Sequence, residues 1–174
     1  MVFQRHIEER GAFDGEGNVT DMRQIGFGII GCGVISRWHA DSVSKIEGCK
    51  LIGGTDVSPK SREAFAEKYG VTAFESVEAL LACSEVDVVC ICTPSGLHAP
   101  LCIAAAEAGK HIITEKPMAL TVADCDAIIE ATDRCGVKIE VISQLRFSHT
   151  VQSVRAAVLN GTLGRIVSGD IFMI

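Results

Sequence analysis

Short apolar runs alternate with helical stretches along the chain, and this alternation predicts the fold class. Strand–helix alternation at this spacing is typical of right-handed βαβ units, whose strands lie parallel in one sheet. The sequence therefore predicts an α/β fold with a doubly wound parallel sheet, which binds its ligand beyond the carboxyl ends of the strands. The predicted strands are 25–30, 50–55, 71–74, 86–92, 111–114 and 137–142, and the predicted helices are 34–46, 59–70, 76–81, 100–108 and 121–134.

Local signals mark several helix starts and one buried strand. Ser58 precedes Pro59, which is the arrangement of an N-cap followed by proline at the first helical position. Thr121 and Asp124 resemble a capping box, with Asp in place of the usual Glu. Residues 86–92 are almost continuously apolar, which indicates a strand that is covered on both faces of the sheet.

The two ends of the chain follow a different pattern. Residues 1–22 contain no export signal, and we interpret them as a soluble N-terminal extension or, alternatively, as an arm that contacts a partner subunit. Residues 150–160 predict an amphipathic helix with Val151, Val154 and Val158 on one face, and residues 166–174 predict the first strand of a second sheet. The expected domains are therefore 1–22, a main α/β domain at 23–146, and the start of a second α+β domain at 147–174.

Composition narrows the class of protein. The chain has 174 residues, 48% of them hydrophobic, and a formal net charge of −6. The negative charge argues against a duplex nucleic-acid binder, and no apolar run is long enough to cross a membrane. None of the eight cysteines forms a C-x-x-C pair, and most lie within apolar runs. We therefore expect a reduced, cytoplasmic protein with no metal site and no nucleic-acid or membrane partner.

A glycine-rich turn follows the first predicted strand and opens the first helix. Gly31 and Gly33 belong to the pattern G-x-G-x-x-S, which ends at Ser36. Gly31 permits a tight turn, Gly33 lets the backbone approach a pyrophosphate, and the helix N-terminus at Val34 and Ile35 offers N–H groups to phosphates. Ser36 is small enough for close packing, and its hydroxyl could also reach a phosphate. The pattern predicts a dinucleotide site, with a purely structural turn as the alternative.

An acidic residue follows the second predicted strand. Asp56 lies 20 residues after Ser36, where a carboxylate can accept hydrogen bonds from both ribose hydroxyls of an adenosine. A carboxylate there would repel a 2′-phosphate, which favours NAD over NADP as the cofactor. Lys60 and Arg62 follow closely and could moderate that repulsion, so NADP stays open. The alternative is an ordinary solvated aspartate in a turn.

Polar residues also follow the fourth and fifth predicted strands. Thr93 and Pro94 lie where the cofactor should pass, and His98 behind them is either a cofactor contact or only a helix-start residue. Lys116 is placed to exchange a proton beside a hydride-transfer site, and Glu115 to bind the nicotinamide ribose. A surface ion pair between Glu115 and Lys116 is the alternative.

Together these residues resemble the Gfo/Idh/MocA family, which includes glucose–fructose oxidoreductase and inositol dehydrogenase. The resemblance covers residues 23–174, and Glu-Lys-Pro after the fifth strand is its most specific feature. The matching segments are Ile29-Ile30-Gly31-Cys32-Gly33, Thr93-Pro94 with His98, Glu115-Lys116-Pro117 and Gln144-Leu145-Arg146-Phe147.

The resemblance implies a Rossmann NAD(P)-binding domain in an oxidoreductase that transfers hydride at a carbinol carbon of sugars, inositols or related molecules. It implies that Lys116 is the catalytic lysine. It also implies cofactor contacts from Gly31, Gly33, Asp56, Thr93, Pro94 and Glu115 and, near the nicotinamide end, from Gln144 and Arg146.

The family's second domain supplies most of the substrate pocket, an Asp and a His that assist the lysine, and the usual subunit interface. Since family members are much longer than this chain, we expect the sequence to carry only the cofactor half of the site. A homo-oligomer is expected when the full second domain is present. The alternative function is a non-catalytic dinucleotide-binding module, such as a sensor or a partner subunit.

Overall fold

A computed structural model describes residues 24–170 in two compact units. The first unit ends at Val141 and the second begins at Ile142, which is earlier than the domain boundary expected after residue 146. The extension expected at residues 1–22 lies outside the described residues. In the described part, the strands are β1 (Ile25–Ile30), β2 (Cys49–Thr55), β3 (Thr72–Ala73), β4 (Val88–Ile91), β5 (His111–Thr114) and β6 (Ile139–Val141). The helices are α1 (Val34–Val43), α2 (Pro59–Tyr69), α3 (Val77–Ala82), α4 (His98–Glu107), α5 (Val122–Cys135) and α6 (His149–Leu159), with 3₁₀ turns at Ser95–Leu97 and Gln144–Phe147.

The first unit is built on one parallel sheet, as the alternation predicts. Its strand order is β3-β2-β1-β4-β5-β6, and every neighbouring pair is parallel. The order reverses between β1 and β4, where loops leave in opposite directions and open a crevice at the carboxyl edge. Ile30 pairs with Thr55 and with Ile91, and Ile91 also pairs with Thr114. The residues that follow these four strands therefore start from the same edge of the sheet.

Both faces of β4 are covered, which confirms its predicted burial. Val89 and Ile91 belong to a core with side chains from α3, α4 and α5. Val88 and Cys90 belong to a second core with side chains from α1 and α2. All four residues are at most 1% exposed. Because burial of a large aliphatic side chain contributes roughly 1.5–3 kcal/mol, these layers hold the sheet between the two helix groups.

The helix ends follow the predicted capping residues. Ser58 Oγ accepts a hydrogen bond from Ser61 N–H, and α2 ends at Gly70, which has φ +65°. Thr121 Oγ1 accepts from Asp124 N–H over 3.1 Å, which is the N-cap half of a capping box. The Asp124 carboxylate accepts from the Thr121 hydroxyl over 2.8 Å, in place of the backbone N–H that a longer Glu would reach.

Several predicted boundaries are wrong. The fourth strand is shorter than 86–92, and the third and sixth strands are also shorter than predicted. Helix α1 stops at Val43 instead of residue 46. Near this end the hydroxyls of Ser42 and Ser44 donate hydrogen bonds to the backbone carbonyls of Trp38 and Asp41, respectively. Helix α4 begins earlier than predicted, at His98.

The second unit contains the predicted amphipathic helix as α6, but its apolar side chains are uncovered. Val151, Val154 and Val158 are 42–56% exposed, and no residue from 142 to 170 is buried. The strand predicted at residues 166–174 is wrong for 166–170, which have no strand conformation because none of the described strands pairs with them. Residues 171–174 lie outside the described part. Within residues 24–170, the helices are too short or too polar to cross a membrane.

Candidate active site

The glycine turn between β1 and α1 has the geometry that its sequence predicts. Gly31 has φ +91°, a conformation that favours glycine, and its N–H donates to Thr55 O over 2.9 Å. A Cβ at Gly31 would lie 2.9 Å from the carbonyl group of Cys92, so the absence of a side chain lets the turn approach the end of β4. A Cβ at Gly33 would meet no atom within 4 Å. The turn therefore leaves open space beside the N-terminus of α1.

The first turn of α1 separates two roles that the sequence left open for Ser36. The Ser36 side chain is completely buried, and its hydroxyl donates to Gly33 O over 2.6 Å. This geometry favours its packing role over a contact between its hydroxyl and a phosphate, which stays a prediction. The first N–H groups of a helix have no intrahelical acceptor, so the backbone at Val34 and Ile35 keeps its predicted place as the phosphate-binding group.

Asp56 follows β2 and supports two backbone segments. Its Oδ2 accepts a hydrogen bond from Cys32 N–H over 2.8 Å, and its Oδ1 accepts one from Ser58 N–H, also over 2.8 Å. This support of the glycine turn is not predictable from local sequence, because it depends on β1 and β2 lying side by side. Each carboxylate oxygen has a second lone pair, so Asp56 can still accept from a ribose, and that role stays a prediction.

The turn after β4 contains a buried polar atom without a partner. Thr93 Oγ1 is buried, and no described residue forms a hydrogen bond with it. Because an unpaired buried hydroxyl costs free energy, this atom fits a ligand that crosses the turn and completes the hydrogen bond. Pro94 is exposed beside it.

His98 lies behind this turn as the first residue of α4. The side chain is 1% exposed, with Nδ1 2.7 Å from Pro117 O and Nε2 3.0 Å from Thr93 O. The structure thus agrees with its interpretation as a helix-start residue that joins two loops. Its contact with a cofactor stays a prediction.

Glu115 and Lys116 follow β5 but do not form the ion pair considered above. Among the described residues, Glu115 is paired with His39, whose Nε2 lies 2.9 Å from Glu115 Oε1. The other oxygen, Oε2, accepts from Lys116 N–H over 3.3 Å. Glu115 is only 9% exposed, whereas Lys116 is exposed at the carboxyl edge of the sheet. His39 was not predicted as a site residue; its place beside the fully buried Ala40 is the signal that could have indicated it.

Three buried thiols lie close to one another at the base of the site. Burial raises the pKa of both Cys32 and Cys90 to about 12, and it also raises the pKa of Cys92. Thiols with such pKa values stay protonated at neutral pH and are poor nucleophiles. The eight cysteines all lie in the described part of the chain, and all are free thiols. Their arrangement supports a packing role over thiol chemistry.

Gln144 and Arg146 lie in the second unit, in its 3₁₀ turn Gln144–Phe147. Their predicted place near the nicotinamide stays a prediction.

Comparison with known protein families identifies a match over most of the chain. Residues 25–143 match the sequence model of the Gfo/Idh/MocA family, which is described as an oxidoreductase family with an NAD-binding Rossmann fold. Myo-inositol 2-dehydrogenase of Thermotoga maritima is 34% identical over 139 residues, which are 79% of this chain and 42% of that protein. Glucose-6-phosphate 3-dehydrogenase of Bacillus subtilis is 31% identical over 147 residues, which are 84% and 41% of the two chains.

Solved structures show the same similarity in three dimensions. The WlbA dehydrogenase from Bordetella pertussis, in complex with NADH and UDP-GlcNAcA, superimposes with a TM-score of 0.79 at 35% sequence identity. That match covers 82% of this chain and 44% of the dehydrogenase. The chain therefore spans less than half the length of the relatives that it matches.

Proposed function

Because this chain belongs to the Gfo/Idh/MocA family of oxidoreductases with an NAD-binding Rossmann fold, we propose that its first unit binds NAD at the carboxyl edge of the sheet. The observation that carries the proposal is the open space at Gly33, together with the unpaired hydroxyl of Thr93 on the neighbouring turn. The N-terminus of α1 would bind the pyrophosphate, and Asp56 would accept hydrogen bonds from the adenosine ribose.

We propose that the complete protein oxidises or reduces a carbinol carbon of a sugar, inositol or related molecule. The relatives named above, which act on myo-inositol and glucose 6-phosphate, support this substrate class. Bound NAD would supply the hydride acceptor. Lys116 projects from the end of β5, at the same sheet edge as the glycine turn, and its amine would take the proton of the substrate hydroxyl.

The environment of Asp56 supports NAD as the preferred cofactor. A carboxylate held at the ribose by two backbone N–H groups would repel a 2′-phosphate. The positive charge of Arg62 opposes this preference. Its Nη1 donates to Glu75 O over 3.2 Å. Its charge lowers the pKa of the nearby Cys32 thiol, although burial raises that pKa by more. A cation so close to the glycine turn would let NADP bind, more weakly than NAD.

The decisive test is a titration of the chain with NADH and, separately, with NADPH. Trp38 is the only tryptophan and lies on α1, so energy transfer from its indole to the dihydronicotinamide reports binding. We expect saturable binding that favours NADH. Asp56→Asn should shift the NADPH-to-NADH affinity ratio about 10-fold toward NADPH, since the charge that rejects the phosphate is removed.

Glu63→Gln is the matched control, because Glu63 is an exposed carboxylate on α2 and its loss should leave the affinity ratio unchanged. Failure of the native chain to bind either dinucleotide would refute the proposed cofactor site. Equal affinity for the two dinucleotides in both the native chain and Asp56→Asn would refute the role of Asp56.

We also propose a cytoplasmic location and assembly as a homo-oligomer for the complete protein. Eight free cysteines support a reducing compartment. The family resemblance is the only support for the homo-oligomer, and sedimentation of the complete protein would test it.

A further inference from the structure

Two histidines contact the segment that carries Lys116, one from each flank; His98 is buried and His39 is largely buried. His39 reaches it from α1, where its Nε2–H donates to Glu115 Oε1 over 2.9 Å. The side chains of this pair are only 10% and 11% exposed. The other carboxylate oxygen of Glu115, Oε2, accepts a hydrogen bond from Lys116 N–H. The side chain of Glu115 therefore connects His39 to the backbone of Lys116.

His98 reaches the same segment from α4. Its ring nitrogens contact Pro117 O at 2.7 Å and Thr93 O at 3.0 Å. Carbonyl oxygens only accept hydrogen bonds, so a ring nitrogen of His98 that carries a proton donates to the carbonyl it contacts. The imidazole of His98 joins the residue after Lys116 to the turn after β4. Lys116 thus lies between two neighbours in sequence that are each attached to a histidine.

We propose that His39 and His98 are positioning residues that fix the backbone of Lys116. The inference rests on the proposed function for the role of that lysine, but the contacts themselves are independent of it. His39 lies on the helix whose N-terminus would bind the pyrophosphate, and the pair with Glu115 therefore links that helix to the lysine segment. Cofactor binding at α1 would restrict the motion of Lys116 through this link, so that the lysine is in place when substrate arrives.

The first measurement uses the native chain without cofactor. Long-range proton–nitrogen NMR spectra of the histidine rings report which nitrogens carry protons. We expect His39 to show a protonated Nε2 and His98 to show a protonated Nδ1, the nitrogen that lies 2.7 Å from Pro117 O. An unprotonated Nδ1 in His98, or an unprotonated Nε2 in His39, would overturn that half of the proposal.

The second measurement compares amide hydrogen exchange in His39→Leu and His39→Gln. The leucine variant lacks a donor for Glu115, and we expect exchange at Lys116 to be about 10-fold faster while the amides of β4 are unchanged. Glutamine can donate to the carboxylate, so it should restore slow exchange. His149→Gln is the matched control, since His149 is exposed in the second unit and should have no effect. Uniform acceleration throughout the sheet would indicate a merely structural role and would overturn the positioning role of His39.

Saturating NADH then tests the link between the two sites. Exchange at Lys116 should slow in the native chain and in His39→Gln but not in His39→Leu. Equal slowing in all three would overturn the link while the proposed cofactor site stands. If NADH changes neither the Trp38 emission nor any exchange rate of the native chain, the proposed function fails together with the link between the cofactor site and Lys116. The exchange rates of the variants without NADH then still decide whether His39 anchors Lys116.

Discussion

Gly31 and Gly33 are separated by one residue, yet a methyl group would have opposite consequences at the two positions. At Gly31 the backbone has φ +91° and a Cβ would collide with the backbone of Cys92. At Gly33 the backbone is extended, with φ −79° and ψ −159°, and the space around a Cβ is open. The first glycine is required by the fold, whereas the second is required only if a ligand occupies the open space.

This difference predicts separate effects on stability and on binding. Gly31→Ala should lower the free energy of unfolding by about 1–3 kcal/mol, because alanine is strained at positive φ and the turn must move away from β4. Gly33→Ala should leave the free energy of unfolding unchanged and weaken NADH binding about 10-fold or more, because its methyl group occupies the cofactor space. Urea denaturation and the Trp38 titration measure the two quantities. A Gly33→Ala variant that binds NADH normally would contradict the proposed position of the pyrophosphate.

At the scale of single elements, the helix ends show which local signals decide structure. α5 begins at an N-cap, Thr121, whose Oγ1 accepts from Asp124 N–H and donates to the Asp124 carboxylate. Its other end is Gly136, with φ +67°, which lets the chain leave the helix without strain. Such ends depend on residues close in sequence, which is why they are predictable.

Removal of the N-cap should destabilise the chain by a measurable amount. Thr121→Ala deletes the acceptor for Asp124 N–H and should lower the free energy of unfolding by about 1 kcal/mol. Thr121→Ser keeps the hydroxyl and should retain most of the stability of the native chain. Urea denaturation of the three proteins, followed by circular dichroism, gives both differences. Equal losses in both variants would show that the Thr121 methyl group, and not the capping hydrogen bond, stabilises this end of α5.

The predictable part of the molecule is the part that local pattern determines. Strand–helix alternation predicted the six strands and their parallel arrangement, and the glycine turn indicated the edge of the sheet where the cofactor site is proposed. The pair of His39 with Glu115 could not be predicted, since it joins residues on α1 and after β5 that only the strand order brings together. The strand expected at 166–174 was wrong for 166–170 because strand-like composition does not supply a pairing partner.

At the scale of the whole molecule, the two units differ in burial. The first unit has a core on each face of its sheet, and these cores contain the buried cysteines Cys32, Cys90, Cys92 and Cys102. The second unit has no buried residue among 142–170. An isolated helix as short as α6 is marginal in water, so stability measured on this chain reports the first unit.

The buried thiols predict how that stability depends on pH. Burial raises the pKa of Cys90 to about 12 and that of Cys102 to about 11, from an ordinary value of 9.0. Above pH 9 the unfolded thiols ionise while the folded thiols keep their protons, so the free energy of unfolding falls as pH rises. Each such thiol should contribute a slope of about 1.4 kcal/mol per pH unit, from about pH 9 to its folded pKa.

Urea denaturation between pH 8 and pH 10.5 measures the slope. Cys90→Ala should make it shallower by one thiol's contribution, even though the variant is less stable at every pH. Cys125→Ala, which removes a half-buried cysteine of α5, is the control and should keep the slope of the native chain. An unchanged slope in Cys90→Ala would contradict the buried, protonated state of that thiol.

The central position of β1 also has a consequence for synthesis on the ribosome. β1 is the first described strand to be made, and its two neighbours are β2, which ends at Thr55, and β4, which starts at Val88. At ordinary rates of translation, the second edge of β1 waits roughly 2–7 s for its partner. During that interval an apolar strand edge in the middle of the future sheet is open to other nascent chains. The proposed cofactor site is completed later still, after β5 emerges, so dinucleotide cannot protect the chain during the seconds when it is most exposed to aggregation.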